Sequence, residues 1–235
     1  MNAVILAAGL GSRFGDVTKN IHKSLLPVDG IPNIERTIGY LKEIGIREIT
    51  VVTGYLAESF DYLQQKYPEV QLLHNPRYAE YNNLYTFSLA ADRLSDTFMI
   101  DADVVLCKNI LARHQHSVYY TLLRPESADV EWVPITGTDG YVERMDITAA
   151  HLPSMLGITY WSARDCAIIR SHLDAYMTEA FLSNPKMYWD YIPVDHLHEL
   201  QVGIYEVDER FVDEMDTVEN YQRVQEKAAA LKELV

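Results

Sequence analysis

The chain has 235 residues, 48% hydrophobic and 23% charged, and carries a formal charge of -14 at pH 7. That composition suits one soluble α/β domain with a substantial core and room for a small additional lobe. So acidic a surface repels nucleic acid and anionic membranes, no stretch reaches the ~18 apolar residues of a membrane span, and Met1 to Leu10 lacks the basic start of a signal peptide.

Ala3 to Leu6 reads as a short buried strand running into a loop that lasts to about Gly30. Pro32 suits the start of a helix with Ile34, Ile38, Leu41 and Ile44 at helical spacing and Gly45 as its stop. Strands over Glu48 to Thr53, Val70 to His74 and Thr97 to Ile100 alternate with helices over Ala57 to Tyr67 and Leu84 to Arg93. This rhythm predicts a Rossmann-like α/β fold, a mostly parallel sheet with helices on both faces. The pattern then changes. Val118 to Trp161 reads as strands and turns, with Gly137 to Gly140 as one turn, and Arg164 to Leu182 as a helix. Pro185 to Pro193 reads as an aromatic-rich loop, Val202 to Val207 and Phe211 to Met215 as strands, and Thr217 to Leu234 as a closing amphipathic helix. The expected organisation is one domain, with a nucleotide-binding half to about residue 115 and an acceptor-binding half from about residue 116, sharing one core. Cys107 and Cys166 are the only cysteines and read as buried thiols of a cytoplasmic protein.

The first strand feeds into Leu6-Ala7-Ala8-Gly9-Leu10-Gly11-Ser12-Arg13. Open parallel sheets bind ligands at the C-terminal ends of their strands. Glycines let the backbone bend and approach a phosphate, free N–H groups form an anion nest, and Arg13 adds a guanidinium fork. The loop lacks the Gly-Lys-Ser/Thr end of a P-loop, and Phe14 stands where a dinucleotide fingerprint has its third glycine. Taken alone, it reads equally well as a strand–turn with glycines for geometry. Ten residues on, Lys23 lies in His22-Lys23-Ser24-Leu25-Leu26-Pro27-Val28.

With that lysine the chain resembles the nucleotide-sugar pyrophosphorylase superfamily. The resemblance implies a nucleotide-diphospho-sugar transferase type of fold and a Lys23 that contacts the α-phosphate. His22 stands where that superfamily usually has proline. Phe98-Met99-Ile100-Asp101-Ala102-Asp103 reads as an apolar strand ending in two carboxylates on one face, hard oxygen donors that suit Mg²⁺ shared with a triphosphate. The resemblance makes Asp103 a metal ligand and Asp101 its neighbour on the ribose side. A second metal carboxylate is expected late in the chain, where Asp216 matches best. Asp216 with Glu219 also reads as a capping-box-like helix start.

All three tryptophans lie in polar-flanked aromatic clusters: Glu131-Trp132, Tyr160-Trp161 and Tyr188-Trp189-Asp190. Each could fill core, and together they could cage a quaternary ammonium. Over nearly its full length the chain is similar to the bacterial LicC-type CTP:phosphocholine cytidylyltransferases. The matching segments include Gly54-Tyr55-Leu56, Phe60-Asp61-Tyr62-Leu63, Tyr81-Asn82-Asn83, Ile100-Asp101-Ala102-Asp103 and Met215-Asp216-Thr217-Val218. Val104 departs from the Asp-Ala-Asp-Asn of that family.

The resemblance implies transfer of CMP from CTP to phosphocholine with Mg²⁺, by in-line attack of the acceptor phosphate on the α-phosphorus. It assigns catalysis to Arg13, Lys23 and Asp103, and metal binding to Asp103 and Asp216. The nucleotide would meet Leu6, Ala7, Ala8, Gly9, Gly11, Ser12, Gly54, Asp101 and Ala102, with Asn82 and Asn83 at the base. The acceptor would meet Glu131, Trp132, Trp161, Tyr188, Trp189 and Asp190. Phosphoethanolamine or 2-aminoethylphosphonate as acceptor, a sugar 1-phosphate, and a non-catalytic nucleotide-binding module stay open as alternatives, as does the oligomeric state, a homodimer included.

Overall fold

The structure is a computed structural model and describes residues 1–126 and 129–232. Its strands are β1 (Asn2–Ala7), β2 (Pro27–Val28), β3 (Ile31–Pro32), β4 (Ile49–Thr53), β5 (Val70–His74), β6 (Thr97–Asp101), β7 (Val104–Leu106), β8 (Ser117–Leu122), β9 (Glu131–Thr136), β10 (Val142–Thr148), β11 (Ser154–Trp161), β12 (Val202–Glu206) and β13 (Val212–Glu214). Its helices are α1 (Asn33–Glu43), α2 (Tyr62–Lys66), α3 (Asn83–Ser88), α4 (Ala163–Tyr176), α5 (Glu179–Leu182), α6 (Tyr191–Asp195) and α7 (Val218–Lys232).

Seven strands form the central sheet in the order β12-β8-β11-β6-β1-β4-β5. β5, β4, β1 and β6 run parallel, β11 alone is antiparallel to its neighbours, and β12 pairs parallel with β8. β1 is buried on both faces, which is why it reads as a continuous apolar run. Ala3, Ile5 and Ala7 join one core with Ile34, Ile38 and Leu41 of α1, while Val4 and Leu6 join a second with Leu84 and Phe87 of α3 and Cys166 and Ile169 of α4. The period-two alternation thus divides one strand between two helix layers. β8, β11 and β12 extend the same sheet.

Several elements differ from expectation at their ends. The segment expected as a helix over Ala57 to Tyr67 splits into a 3-10 turn at Ala57–Phe60 and α2, and the one over Leu84 to Arg93 into α3 and a 3-10 turn at Ala91–Arg93. The helix expected to run to Leu182 stops at Tyr176, and α5 is separate. The aromatic loop contains the start of α6. Leu234, the expected end of the last helix, lies outside the described residues. Among the described residues, no helix is long and apolar enough to cross a membrane.

Two small ribbons position the site. β9 pairs antiparallel with β10 and carries Glu131 and Trp132. β13 pairs antiparallel with β7, opposing Glu214 to Val104, and the Met215 N–H donates to the Asp103 carbonyl at 2.9 Å. That ladder brings the late carboxylates to the end of β6.

Candidate active site

β1 ends beside β6, with Leu6 in register with Asp101 and the Ala102 N–H donating to the Leu6 carbonyl at 3.1 Å. The chain then turns outward through Gly9 and Gly11. Gly11 has φ 61, in the left-handed region that favours glycine. Gly54 serves this loop by size: a Cβ there would lie 2.8 Å from the Ala8 carbonyl oxygen and 2.6 Å from the Cβ of Tyr78. It packs behind the loop rather than lining the cleft.

His22 braces the loop from below. It is buried, and the Ser24 N–H donates to its Nδ1 at 3.2 Å, capping the turn that carries Lys23. Its Nε2 lies 3.0 Å from the Gly9 carbonyl, so Nε2 holds the proton. Burial outweighs that hydrogen bond and pushes the imidazole down to about 4, which keeps it neutral. The residue that replaces the usual proline therefore ties the glycine loop to the lysine turn.

Lys23 reaches into the cleft, with Nζ 2.6 Å from Oδ2 of Asp103 and 3.6 Å from Oδ1 of Asp216. Arg13 closes the group, 2.9 Å from Oδ1 of Asp216. Burial works to raise the Asp103 carboxyl, but the Lys23 ammonium outweighs it and holds the group below its ordinary value. Burial likewise opposes the charge on Lys23, and its two carboxylate neighbours hold it above its ordinary value. Asp216 does not cap the last helix. The Asn220 N–H donates to Thr217 Oγ1, and Asn220 Oδ1 accepts from the Asp216 and Thr217 N–H groups. Thr217 and Asn220 take the capping role, so the Asp216 carboxylate is free to face the cleft. Two carboxylates sharing one ammonium is the donor set a small hard cation requires. Asp103 and Asp216 thus fit a divalent metal, with the ammonium of Lys23 standing in its place.

The cleft above the loop has a volume of about 360 Å³ and is lined by Leu6 to Gly9, Lys23, Asn82, Asn83, Asp101, Ala102 and Asp103, with Tyr188 and Asp190 at its far side. The two asparagines are structurally committed. Asn82 caps α3 by accepting from the Leu84 N–H, and its Nδ2 donates to the carbonyls of Phe181 and Asn184. Asn83 Oδ1 accepts from the Trp189 N–H at 3.0 Å. They join this wall of the cleft to the segment that carries Tyr188 and Asp190.

A second cavity of about 200 Å³ adjoins the first across Asp101, Tyr188 and Asp190. Trp132 and Tyr188 present rings 6.4 Å apart and nearly perpendicular, and Tyr191 packs 4.9 Å behind Trp132. The carboxylates of Glu131, Asp190 and Glu214 also line it, with Arg124 as the one cation. Arg124 is bonded to Glu214 and lies 3.7 Å from Glu131. Burial pushes the Asp190 carboxyl up to about 7. Burial, and then the neighbouring charges of Asp103, Asp190 and Glu214, push Asp101 well above its ordinary value. The structure places the other two tryptophans elsewhere. Trp161 is 1% exposed, packed edge-on against Tyr119 in the core, because the antiparallel β11 ends with that side chain on the covered face. Trp189 is buried and stacks on Phe87 at 4.8 Å, reaching only a separate small cavity of about 10 Å³ shared with Asp101 and Asp190.

Comparison with known proteins bears on this geometry. Residues 3–144 match the family model of the MobA-like NTP transferase domain. The chain is 45% identical to the choline-phosphate cytidylyltransferase of Haemophilus influenzae, over 99% of this chain and 100% of the relative. The chain belongs to the choline-phosphate cytidylyltransferase family. It is a nucleotidyltransferase. The solved structure of the CTP:phosphocholine cytidylyltransferase from Streptococcus pneumoniae superposes with a TM-score of 0.89 at 35% identity, covering 96% of this chain and 97% of that one. A 2-aminoethylphosphonate cytidylyltransferase from Lancefieldella rimae is 34% identical over 92% of this chain and 89% of its own length. Enzymes of this family generally use a divalent metal.

The cleft of this cytidylyltransferase also contains residues that the sequence reading passes over. Gly157 in β11 faces Asp101, and a Cβ there would lie 2.9 Å from the Cβ of Asp101. Its N–H donates to Glu214 at 3.2 Å. An isolated glycine inside the apolar strand Ser154–Trp161 is the signal of such a close approach. Arg124 and Glu214 carry no comparable signal, because each reads as a lone surface charge until the β7–β13 ribbon brings Glu214 to Gly157 of β11.

Proposed function

We propose that the enzyme transfers CMP from CTP to phosphocholine, giving CDP-choline and pyrophosphate. The observation that carries this reading is the continuity of a cleft bearing Lys23 beside the glycine loop with a carboxylate-lined cavity bounded by the rings of Trp132 and Tyr188. The triphosphate lies against the Leu6 to Ser12 backbone, with Arg13 and Lys23 as its fixed cations. Asn82 and Asn83 bound the base end. Asp103 and Asp216 would hold Mg²⁺, which would supply charge neutralisation there, and Lys23 and Arg13 would then be available to the phosphates.

The acceptor's phosphate oxygen forms the new bond to the α-phosphorus as the bond to the pyrophosphate oxygen breaks. That oxygen is already largely ionised at neutral pH, since the second pKa of a phosphate monoester is about 6, so no general base is needed. Lys23 balances charge on the α-phosphate, and the site acts by positioning and preorganised charge. The trimethylammonium head is held by the Trp132 and Tyr188 faces, and its charge is matched by Asp190 and Glu214. A sugar would need a pocket of paired hydroxyl-reading groups, and this cavity offers aromatic faces and an excess of carboxylates.

A primary ammonium would use the same carboxylates as hydrogen-bond acceptors, which is the specific support for 2-aminoethylphosphonate as the second reading. A pyrophosphate-release screen separates them. CTP, UTP, ATP and dTTP are crossed with phosphocholine, phosphoethanolamine, 2-aminoethylphosphonate and sugar 1-phosphates in the presence of Mg²⁺. The expected maximum is CTP with phosphocholine. A maximum with 2-aminoethylphosphonate replaces the first reading by the second, and a maximum with a sugar phosphate removes both.

A further inference from the structure

Away from the cleft, His172 on α4 faces the turn that follows α6, which carries His196, His198 and Glu199. Nε2 of His172 lies 2.9 Å and Nδ1 of His196 3.3 Å from the same Glu199 oxygen, and all three donor atoms lie within 4.8 Å of one another. Among the described residues this is the one such group of three or more histidine, cysteine or acidic side chains. We propose that His172, His196 and Glu199 form a site for a borderline divalent transition metal, zinc in the first instance, distinct from the hard-cation site at Asp103 and Asp216.

The donor set decides the metal class. Two imidazole nitrogens and one carboxylate suit zinc, whereas Mg²⁺ prefers oxygen donors throughout. A tetrahedral zinc with bonds of about 2.0–2.2 Å holds its ligand atoms roughly 3.4 Å apart, close to the two distances to Glu199. His172 supplies an independent sign. Its Nε2 is buried, and the nearby Glu199 oxygen does not meet it in hydrogen-bonding geometry, so a buried ring nitrogen has no partner. A metal ion accepts that lone pair directly. On the other ring, Nε2 of His196 lies 3.5 Å from the Tyr176 hydroxyl, which itself donates to Asp195 at 2.7 Å. With Nε2 so occupied, Nδ1 of His196 is the nitrogen that faces Glu199.

The two rings stack face to face at 3.5 Å with 9° between planes. One ion cannot lie in both planes, so binding requires one ring to turn out of the stack. Both histidines are partly exposed on that side, with side chains 28% and 23% accessible, which gives them room. The fourth ligand is His198, 75% exposed and already 3.8 Å from the Glu199 oxygen, or a water. The consequence is structural. The metal would tie α4 to the end of the segment that begins with Tyr188 and Asp190.

The test uses the full-length protein without a polyhistidine tag, stripped with chelator and titrated with Zn²⁺ against a chromophoric competitor. The Asp216→Asn variant is run in parallel to silence the cleft. One equivalent is expected to bind in both, at micromolar affinity or tighter, with Co²⁺ giving the visible absorption of a tetrahedral site. His172→Ala and His196→Ala are each expected to weaken zinc binding by roughly tenfold or more, with circular dichroism unchanged and Mg²⁺-dependent turnover within about twofold of the parent. The more conservative His172→Gln is expected to behave the same way, so a folding failure of the alanine variants does not decide the matter. Zinc binding that survives all three histidine changes, or that disappears with Asp216→Asn alone, overturns the proposal.

Discussion

At the nucleotide end of the cleft the cations project between carboxylates, with Lys23 2.6 Å from Asp103 and Arg13 2.9 Å from Asp216. At the proposed acceptor end the arrangement is reversed: Arg124 lines the cavity with Asp101, Glu131, Asp190 and Glu214 and is paired with Glu214. On the proposed reading, the first region would bind an anion once a divalent cation took over the carboxylates. The second has its one cation already neutralised and keeps a surplus of acid for a positively charged head. The difference teaches how a chain of net charge -14 handles two phosphorylated substrates. On the proposed reading, anion binding is confined to a glycine loop and two side chains, and the bulk acidity serves the acceptor's ammonium.

The largest effect that would break this comparison is at Lys23. Lys23→Ala is expected to lower kcat/KM about a hundred- to a thousandfold with CTP as the varied substrate, as loss of one preorganised charge at the reacting centre does. Turnover near the parental rate would remove the nucleotide-end assignment. Asp216→Asn is next: the Mg²⁺ concentration for half-maximal activity is expected to rise at least roughly tenfold. An unchanged Mg²⁺ requirement would leave Asp216 as a partner of Arg13 only.

The acceptor end carries a pH signature. Asp190 is pushed up to about 7 by burial, so it is largely neutral at pH 6 and charged at pH 8. The KM for phosphocholine is therefore expected to fall as pH rises from 6 to 8, and Asp190→Asn should flatten the part of that profile not shared with the acceptor's own phosphate ionisation. The linkage sign is the reverse for stability. A carboxyl raised from 3.8 toward 7 binds more protons folded than unfolded, so ionising it opposes folding as pH rises through that window. A KM that rises with pH would place no useful charge on Asp190. The smallest effect is at Asn82. Asn82→Ala removes the α3 cap and should cost about 1 kcal/mol of stability, read as a lower denaturation midpoint. A larger change in the KM for CTP than in stability would show that the amide reads the base as well.

Much of the nucleotide end was legible in the sequence because its signals are local. The glycine loop, Lys23 and the Asp101–Asp103 pair each follow from a few neighbouring residues and the strand that precedes them. The capping-box reading of Asp216 and Glu219 failed, because Thr217 and Asn220 take the cap and the Asp216 carboxylate lies beside Arg13 and Lys23 instead. The acceptor end depends on which strands lie side by side. Trp132 and Trp161 look alike as aromatic–polar pairs, yet one lies on an open ribbon and the other ends a covered antiparallel strand. Gly157, Arg124 and Glu214 come from three segments far apart in the chain, and their meeting is a property of the sheet order.

The most direct test of the central claim is the ratio of kcat/KM for phosphocholine to that for 2-aminoethylphosphonate, measured with saturating CTP and Mg²⁺ in the parent enzyme and in Trp132→Ala. The predicted parent favours phosphocholine, and the variant loses roughly tenfold of that preference while its KM for CTP stays within about twofold, as expected for the removal of one aromatic face from a cationic head. A parent that favours 2-aminoethylphosphonate, or a variant that loses CTP binding and leaves the acceptor ratio intact, would contradict it.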